Sequence, residues 1–168
     1  DKRGSFNLDK NKFYFNYMKE GSEYYEKSES DNSSIFYKVA NIPDNCIVIK
    51  EHSSPWKFYN FKNQQIKNQG WKIHVSATLN NAQEILNGVS EVLLKKQIPF
   101  KHINDEFSLL NINSKNGNRI SSGKFITIYP PTDDTFLNLL DAMYEIVKDK
   151  ENGPYILSDK CWKDSNVF

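Results

Sequence analysis

Between residues 71 and 103 the chain changes its hydrophobic period from two to about 3.6 and back, and this restricts the fold more than any other feature. Trp71, Ile73, Val75 and Ala77 alternate with Lys72, His74 and Ser76, which predicts a strand with one apolar face and one face carrying a cation, an imidazole and a hydroxyl. Ala82, Ile85, Leu86, Val89, Val92 and Leu93 then recur at helical spacing, predicting an amphipathic helix over residues 80–96 with Thr78 or Asn80 as its N-cap. Pro99 is expected to end that helix, and residues 99–103 read as the next strand. The result is a strand, helix, strand unit.

The remaining pattern supplies the other layers. Residues 46–49 read as a short buried strand, residues 56–61 alternate as another, and 63–70 form a polar connector. A short helix is predicted over 105–110 and a glycine-containing loop over 113–123. A strand over 124–129 is stopped by Pro130-Pro131. Thr132 is placed to cap a second strong helix, with Asp133 and Asp134 in its first turn and Phe136, Leu140, Met143, Tyr144 and Val147 on one face. Residues 155–157 read as a last strand. The fold class is therefore α+β: a mixed or antiparallel sheet with two main amphipathic helices packed on it. At 168 residues one compact domain is expected. In it, an aromatic-rich segment over 1–60, with a helix carrying Phe13, Tyr14, Tyr17, Tyr24 and Tyr25 and a loop over 28–34, packs on a core formed by 61–168.

Charge and composition exclude several classes. The net charge of +1 is no nucleic-acid footprint, so neither nucleic acid nor an anionic membrane is an expected partner. The only arginines are Arg3 and Arg119, so any anion must be held mainly by lysines. Cys46 and Cys161 lack metal-ligand or redox spacing, and no apolar run approaches a membrane span, which points to a cytoplasmic protein with free thiols. A chain starting Asp-Lys-Arg and ending Val167-Phe168 is read as a piece excised from a longer one.

Standard catalytic motifs fail on inspection. Gly117 to Lys124 imitates a phosphate loop, but its spacing is one residue off and Phe125 stands where Ser or Thr is required. Protein-kinase signatures are missing, and Glu51, Glu84, Asp105 and Glu106 form no glycosidase pair. His52, His74 and His102 share no metal-ligand spacing, so no metal is expected. What remains is a set of cations. Lys72 and His74 share one strand face, Lys101 stands on the next strand, and Ser121-Ser122-Gly123-Lys124 leads into a third. Such a set suits a phosphate dianion, provided the sheet order brings the groups together. Taken singly, Lys101 also reads as an edge lysine and Lys124 as a solvated loop residue.

The runs Gly70-Trp71-Lys72-Ile73-His74-Val75-Ser76-Ala77-Thr78, Ile98-Pro99-Phe100-Lys101, Asn113-Ser114-Lys115, Ser122-Gly123-Lys124-Phe125-Ile126-Thr127-Ile128-Tyr129-Pro130 and Leu157-Ser158-Asp159 carry a resemblance. In this order, over roughly residues 55–168, the chain resembles the N-terminal lyase domain of class III and class IV lanthionine synthetases. These domains are in turn similar to the phosphothreonine lyase effectors of pathogenic bacteria. The resemblance implies a phosphothreonine-lyase-like fold and β-elimination of phosphate from phosphoserine or phosphothreonine in a ribosomal precursor peptide, leaving dehydroalanine or dehydrobutyrine. It implies Lys101 as general base and His74 as general acid. Lys72 and Lys124 would hold phosphate, helped by Arg119, Lys115 and Ser122. It also implies no cofactor, and covalently adjacent kinase and cyclase domains in a longer enzyme. The chain departs from the effectors in offering one arginine where they use several, which shifts orientation of the phosphate to lysines, serines and loop amides. A non-catalytic phosphopeptide- or leader-binding module is the alternative, and a purely structural domain a third reading.

Overall fold

One sheet holds every strand of the described residues: β1 (Cys46–Lys50), β2 (Trp56–Phe61), β3 (Ile73–Val75), β4 (Phe100–Ile103) and β5 (Ile126–Ile128). Their spatial order is β1-β2-β4-β5-β3, and each neighbouring pair is antiparallel. The structure is a computed structural model and describes residues 35–168 other than 63, 68 and 115–121. The helix and loop expected within residues 1–34 lie outside the described residues. Because β3 and β4 are both antiparallel to β5, they run parallel to each other, with β5 inserted between them. The strand, helix, strand unit is thus a crossover that leaves room for a later strand.

The ladder register sorts side chains onto two faces. Ile73, Ile128, Phe100 and Tyr59 form one row, and Val75, Ile126 and His102 a second row on the same side. All are fully buried, in one core with Ile85, Leu86, Val89 and Leu93 of α1 (Ala82–Lys95) and Leu139, Leu140, Met143 and Val147 of α3 (Asp133–Val147). Each fully buried aliphatic or aromatic side chain contributes about 1.5–3 kcal/mol. The row between, His74, Thr127, Lys101, Phe58 and Ile49, faces the other way.

Several boundaries differ from expectation. α1 begins after Asn81, whose side-chain oxygen instead accepts from the Thr78 amide and closes the preceding turn. It ends ahead of Pro99, because Gln97 adopts φ 56° while the Ile98 amide donates to Leu93 and the Gln97 amide to Leu94. This paired C-terminal cap turns the chain into β4. Thr132 caps α3 as expected, accepting from the Thr135 amide at 3.1 Å. The short helix expected over 105–110 forms as α2 (Glu106–Asn113), running past its expected end and standing as a third helix beside the two main ones, with Asp105 as its cap. Among the described residues β1 pairs with β2 alone, an edge strand with Ile47, Val48 and Ile49 exposed and not a buried one. Trp71 precedes β3 and is 65% exposed, its ring stacked on Phe136 of α3 instead of continuing the buried row. Residues 155–157 form no strand. The open edge of β3 is taken by the last residues of the chain, so Ile156 buries as an isolated anchor between exposed Tyr155 and Leu157.

His102 is a core residue. Its Nδ1–H donates to the Ile103 carbonyl at 2.7 Å, which leaves Nε2 to accept from the Tyr59 hydroxyl at 3.1 Å. Burial pushes its pKa down to about 4, with Lys57 adding to the effect against the Ile103 hydrogen bond. An imidazole neutral in the fold but titrating near 6.5 in the unfolded chain stabilises fully above about pH 6.5, and that contribution drains away as pH falls towards about 4. His102 alone should account for about 2 kcal/mol of stability lost between pH 7 and 5. Urea unfolding at the two pH values should therefore show a smaller difference in His102→Gln than in the parent.

Candidate active site

The outward row is where the chemistry gathers. In the register His74 stands opposite Thr127, and Thr127 opposite Lys101, so two long side chains flank one short one on the same face. Two strand spacings, roughly 10 Å, separate their backbones. Both side chains can therefore reach over Thr127 towards one bound group.

β3 has only three residues, yet both of its edges are held. β5 pairs with one edge. On the other, the His74 amide donates to the Phe168 carbonyl at 2.7 Å, the Phe168 amide to His74 at 2.8 Å, and the Ser76 amide to Asn166 at 2.9 Å. The Asn166 side chain accepts from the Gly153 amide and donates to the Glu151 carbonyl, tying down the loop that presents Asp159. Gly153 lies so close to the β3 chain end that a Cβ there would sit 2.6 Å from the Ala77 nitrogen. Gly123, at φ 78°, turns the chain ahead of β5 and brings Lys124 against the same loop.

Asp159 joins these elements. Its carboxylate receives His74 Nδ1 on one oxygen; the other lies 3.6 Å from Lys124 Nζ and accepts from the Ser158 hydroxyl at 2.8 Å. Burial alone would raise the Asp159 pKa, but Ser158, His74 and Lys124 together hold it below the usual carboxylate value. With Nδ1 committed to Asp159, Nε2 is the nitrogen left for a ligand. Burial pushes the His74 pKa down to about 4; Lys124 and Lys72 reinforce this, and Asp159 opposes it.

Lys101 has different surroundings. Its Nζ lies over the Trp56 ring, 4.3 Å from the centroid. Burial first, then the charges of Lys72 and Lys124, lower its pKa to about 8. Lys72 is exposed, with Nζ 5.6 Å from the Tyr129 ring. Ser122 opens the turn before Gly123 and Lys124. Lys115 and Arg119 lie outside the described residues. The register thus places His74 and Lys101 on one face, and Lys72 and Lys124 stand near enough for their charges to act on both. Asp159, Trp56, Thr127 and Tyr129 border the same site without having been singled out by sequence. Asp159 sat in a recognised run, but no spacing ties it to His74. Among the described residues, no group of three or more His, Cys, Asp or Glu is placed to hold a metal, and no helix is long and apolar enough to cross a membrane.

Chemically, the site offers an amine able to be neutral near physiological pH, an imidazole backed by a carboxylate, and two further cations for an anion. The fold that carries it has solved counterparts. The type III effector and phosphothreonine lyase OspF from Shigella flexneri aligns with a TM-score of 0.54 and 15% identity, covering 96% of this chain and 89% of that one. The phosphothreonine lyase effector VirA (SpvC) of Chromobacterium violaceum gives 0.54 and 15%, covering 95% and 84%. At that identity the likeness is one of fold: an α+β domain with a phosphothreonine-lyase-like antiparallel sheet.

Within that class the chain belongs to the family described as RamC, N-terminal domain, whose pattern matches residues 42–168. It is also 36% identical over 110 residues to the probable SapB synthase of Streptomyces coelicolor, a match covering 66% of this chain and 12% of that protein. The chain therefore spans only a small part of the curated relative's length.

A dianion bound at Lys72, Lys124 and His74 must raise the imidazole pKa, since it favours the charged form. Nuclear magnetic resonance of the His74 ring should show its titration moving upward from about 4 by a unit or more on saturation with inorganic phosphate, and by less in Lys72→Ala.

Proposed function

We propose that this domain is a metal-independent phosphoserine/phosphothreonine lyase acting on a phosphorylated ribosomal precursor peptide in lanthipeptide-type biosynthesis. The observation that carries the reading is the pair of Lys101 and His74 on either side of Thr127, with Lys101 lowered to about 8 by burial and its cationic neighbours. Family membership and the phosphothreonine-lyase fold support it. The much greater length of the Streptomyces relative supports a longer enzyme in which kinase and cyclase domains adjoin this one.

In the proposed reaction the neutral Lys101 amine takes the Cα proton of the phosphoresidue. The C–H electron pair becomes the Cα=Cβ double bond as the Cβ–O bond breaks. His74 passes its Nε2 proton to the departing bridging oxygen. Products are the dehydro residue and hydrogen phosphate, and proton exchange with water restores both groups. His74 is neutral at pH 7 in the free site, so the phosphate itself recruits the acid's proton, either by raising the imidazole pKa or by arriving as the monoanion, whose proton leaves near pH 6. Lys72 and Lys124 neutralise the phosphate, with Ser122, Arg119 and Lys115 completing its cradle. Asp159 fixes the imidazole tautomer.

Mixing the domain with a synthetic phosphoserine peptide tests the reading by mass. Loss of phosphoric acid is expected from the parent. Lys101→Ala and His74→Ala should each slow it by about 10²–10⁴-fold, the usual contribution of one acid–base group. An unchanged peptide mass with saturable binding would instead establish a phosphopeptide-binding module.

A further inference from the structure

The two proton-carrying groups of this site have partners of opposite kinds. His74 is backed by the Asp159 carboxylate, whereas Lys101 rests on an aromatic face. Trp56 reaches it from β2, standing opposite Ile103, two residues along β4 on the same face as Lys101. Around Lys101 the β3 side presents Lys72 and the His74–Asp159 pair, the approach to β5 presents Lys124, and β5 itself presents Thr127, with Tyr129 just beyond it. β2 presents Trp56 and Phe58. Past the end of β4 stand Asp105, whose carboxylate accepts from Ser108, and Glu106 in the first turn of α2. Among the described residues, the ion pairs on this face belong to His74, Lys124 and Asp159, and none includes Lys101.

We propose that Trp56 is the positioning residue of the base: its ring face fixes where Nζ sits while leaving the ammonium's proton removable. This rests on Lys101 being the base. A carboxylate in the same place would hold the amine equally well but lock it in its charged form at neutral pH. A π face attracts the ammonium more weakly, enough to offset part of the repulsion from Lys72 and Lys124. The site thereby gives its acid a partner that favours the proton and its base a partner that releases it.

The test combines ¹³C-lysine resonance titration of Lys101, its signal identified by loss in Lys101→Arg, with elimination from a phosphoserine peptide. Both are run on the full chain of the parent and of Trp56→Phe, Trp56→Leu and Trp56→Glu. Removing the ring quadrupole destabilises the ammonium, so Trp56→Leu should titrate about 0.5–1 pH unit below the parent, with Trp56→Phe between them. Trp56→Glu should titrate at least about one unit higher and lose at least about tenfold in rate at neutral pH, a deficit that shrinks as pH rises. Trp56→Leu should lower kcat while leaving KM near the parent value. A Leu variant titrating at or above the parent, or a Glu variant fully active at neutral pH, overturns the proposal. Should the Leu or Glu variant fail to fold, the Phe variant decides by the direction of its smaller shift. A parent that leaves the peptide intact removes the lyase reading, while the order of the lysine titrations still judges the role of Trp56.

Discussion

The antiparallel register of β5 against its two neighbours is the constraint on which everything else depends. With Ile73 and Phe100 both opposite Ile128, the apolar residues of three strands fall on the helix side, save Ile103, which shares the face of Lys101. His74, Thr127 and Lys101 fall together on the other side. A slip of one residue in either ladder would exchange the faces of a strand, burying an imidazole or an ammonium in the core and exposing isoleucines. Hydrophobic burial therefore enforces the alignment of the chemical groups, although none of them takes part in it. The same burial explains how strands as short as β3 and β5 hold position, since every residue in them is either core or ladder.

The cost of gathering cations is met locally. Lys72, Lys124 and Lys101 repel one another, and burial disfavours charge on His74 and Lys101 alike. Asp159 answers for two of these groups, receiving His74 and standing near Lys124, and Trp56 answers for a third. What remains is an excess of positive charge near a buried amine, the feature on which the proposed phosphate site rests. The second buried histidine is a useful contrast. His102 has the same low pKa, but its ring is saturated by Ile103 and Tyr59 on the core face, so it serves packing.

Most of this was legible where a pattern was long or a cap had a clear chemistry. The Lys72/His74 face followed from alternation, α1 from its helical stripe, and the start of α3 from Thr132. Signals failed where a tertiary neighbour decided the outcome. Cys46–Lys50 has the composition of a buried strand but occupies the edge of the sheet. Trp71 keeps the alternation in sequence yet stacks on Phe136 outside the strand. Residues 155–157 have strand propensity, but among the described residues it is Asn166–Phe168 that lies along the edge of β3 away from β5. Of the site, the cations were visible as residue types. The partners of these groups, Asp159 and Trp56, were not, because Asp159 lies 85 residues after His74 and Trp56 lies 45 residues before Lys101, with no spacing rule to link them.

The sequence alone determined which side chains are available and which face of each element they occupy, because side-chain periodicity is a local property of the backbone. It also determined family membership, since the matching runs are linear. Only the tertiary structure decided that β5 enters between β3 and β4, that the chain end closes the outer edge of β3, and that Asp159 and Trp56 become the respective partners of His74 and Lys101. Those outcomes depend on long-range pairing and on the exclusion of water from buried charge, and neither is encoded by any short stretch of the chain.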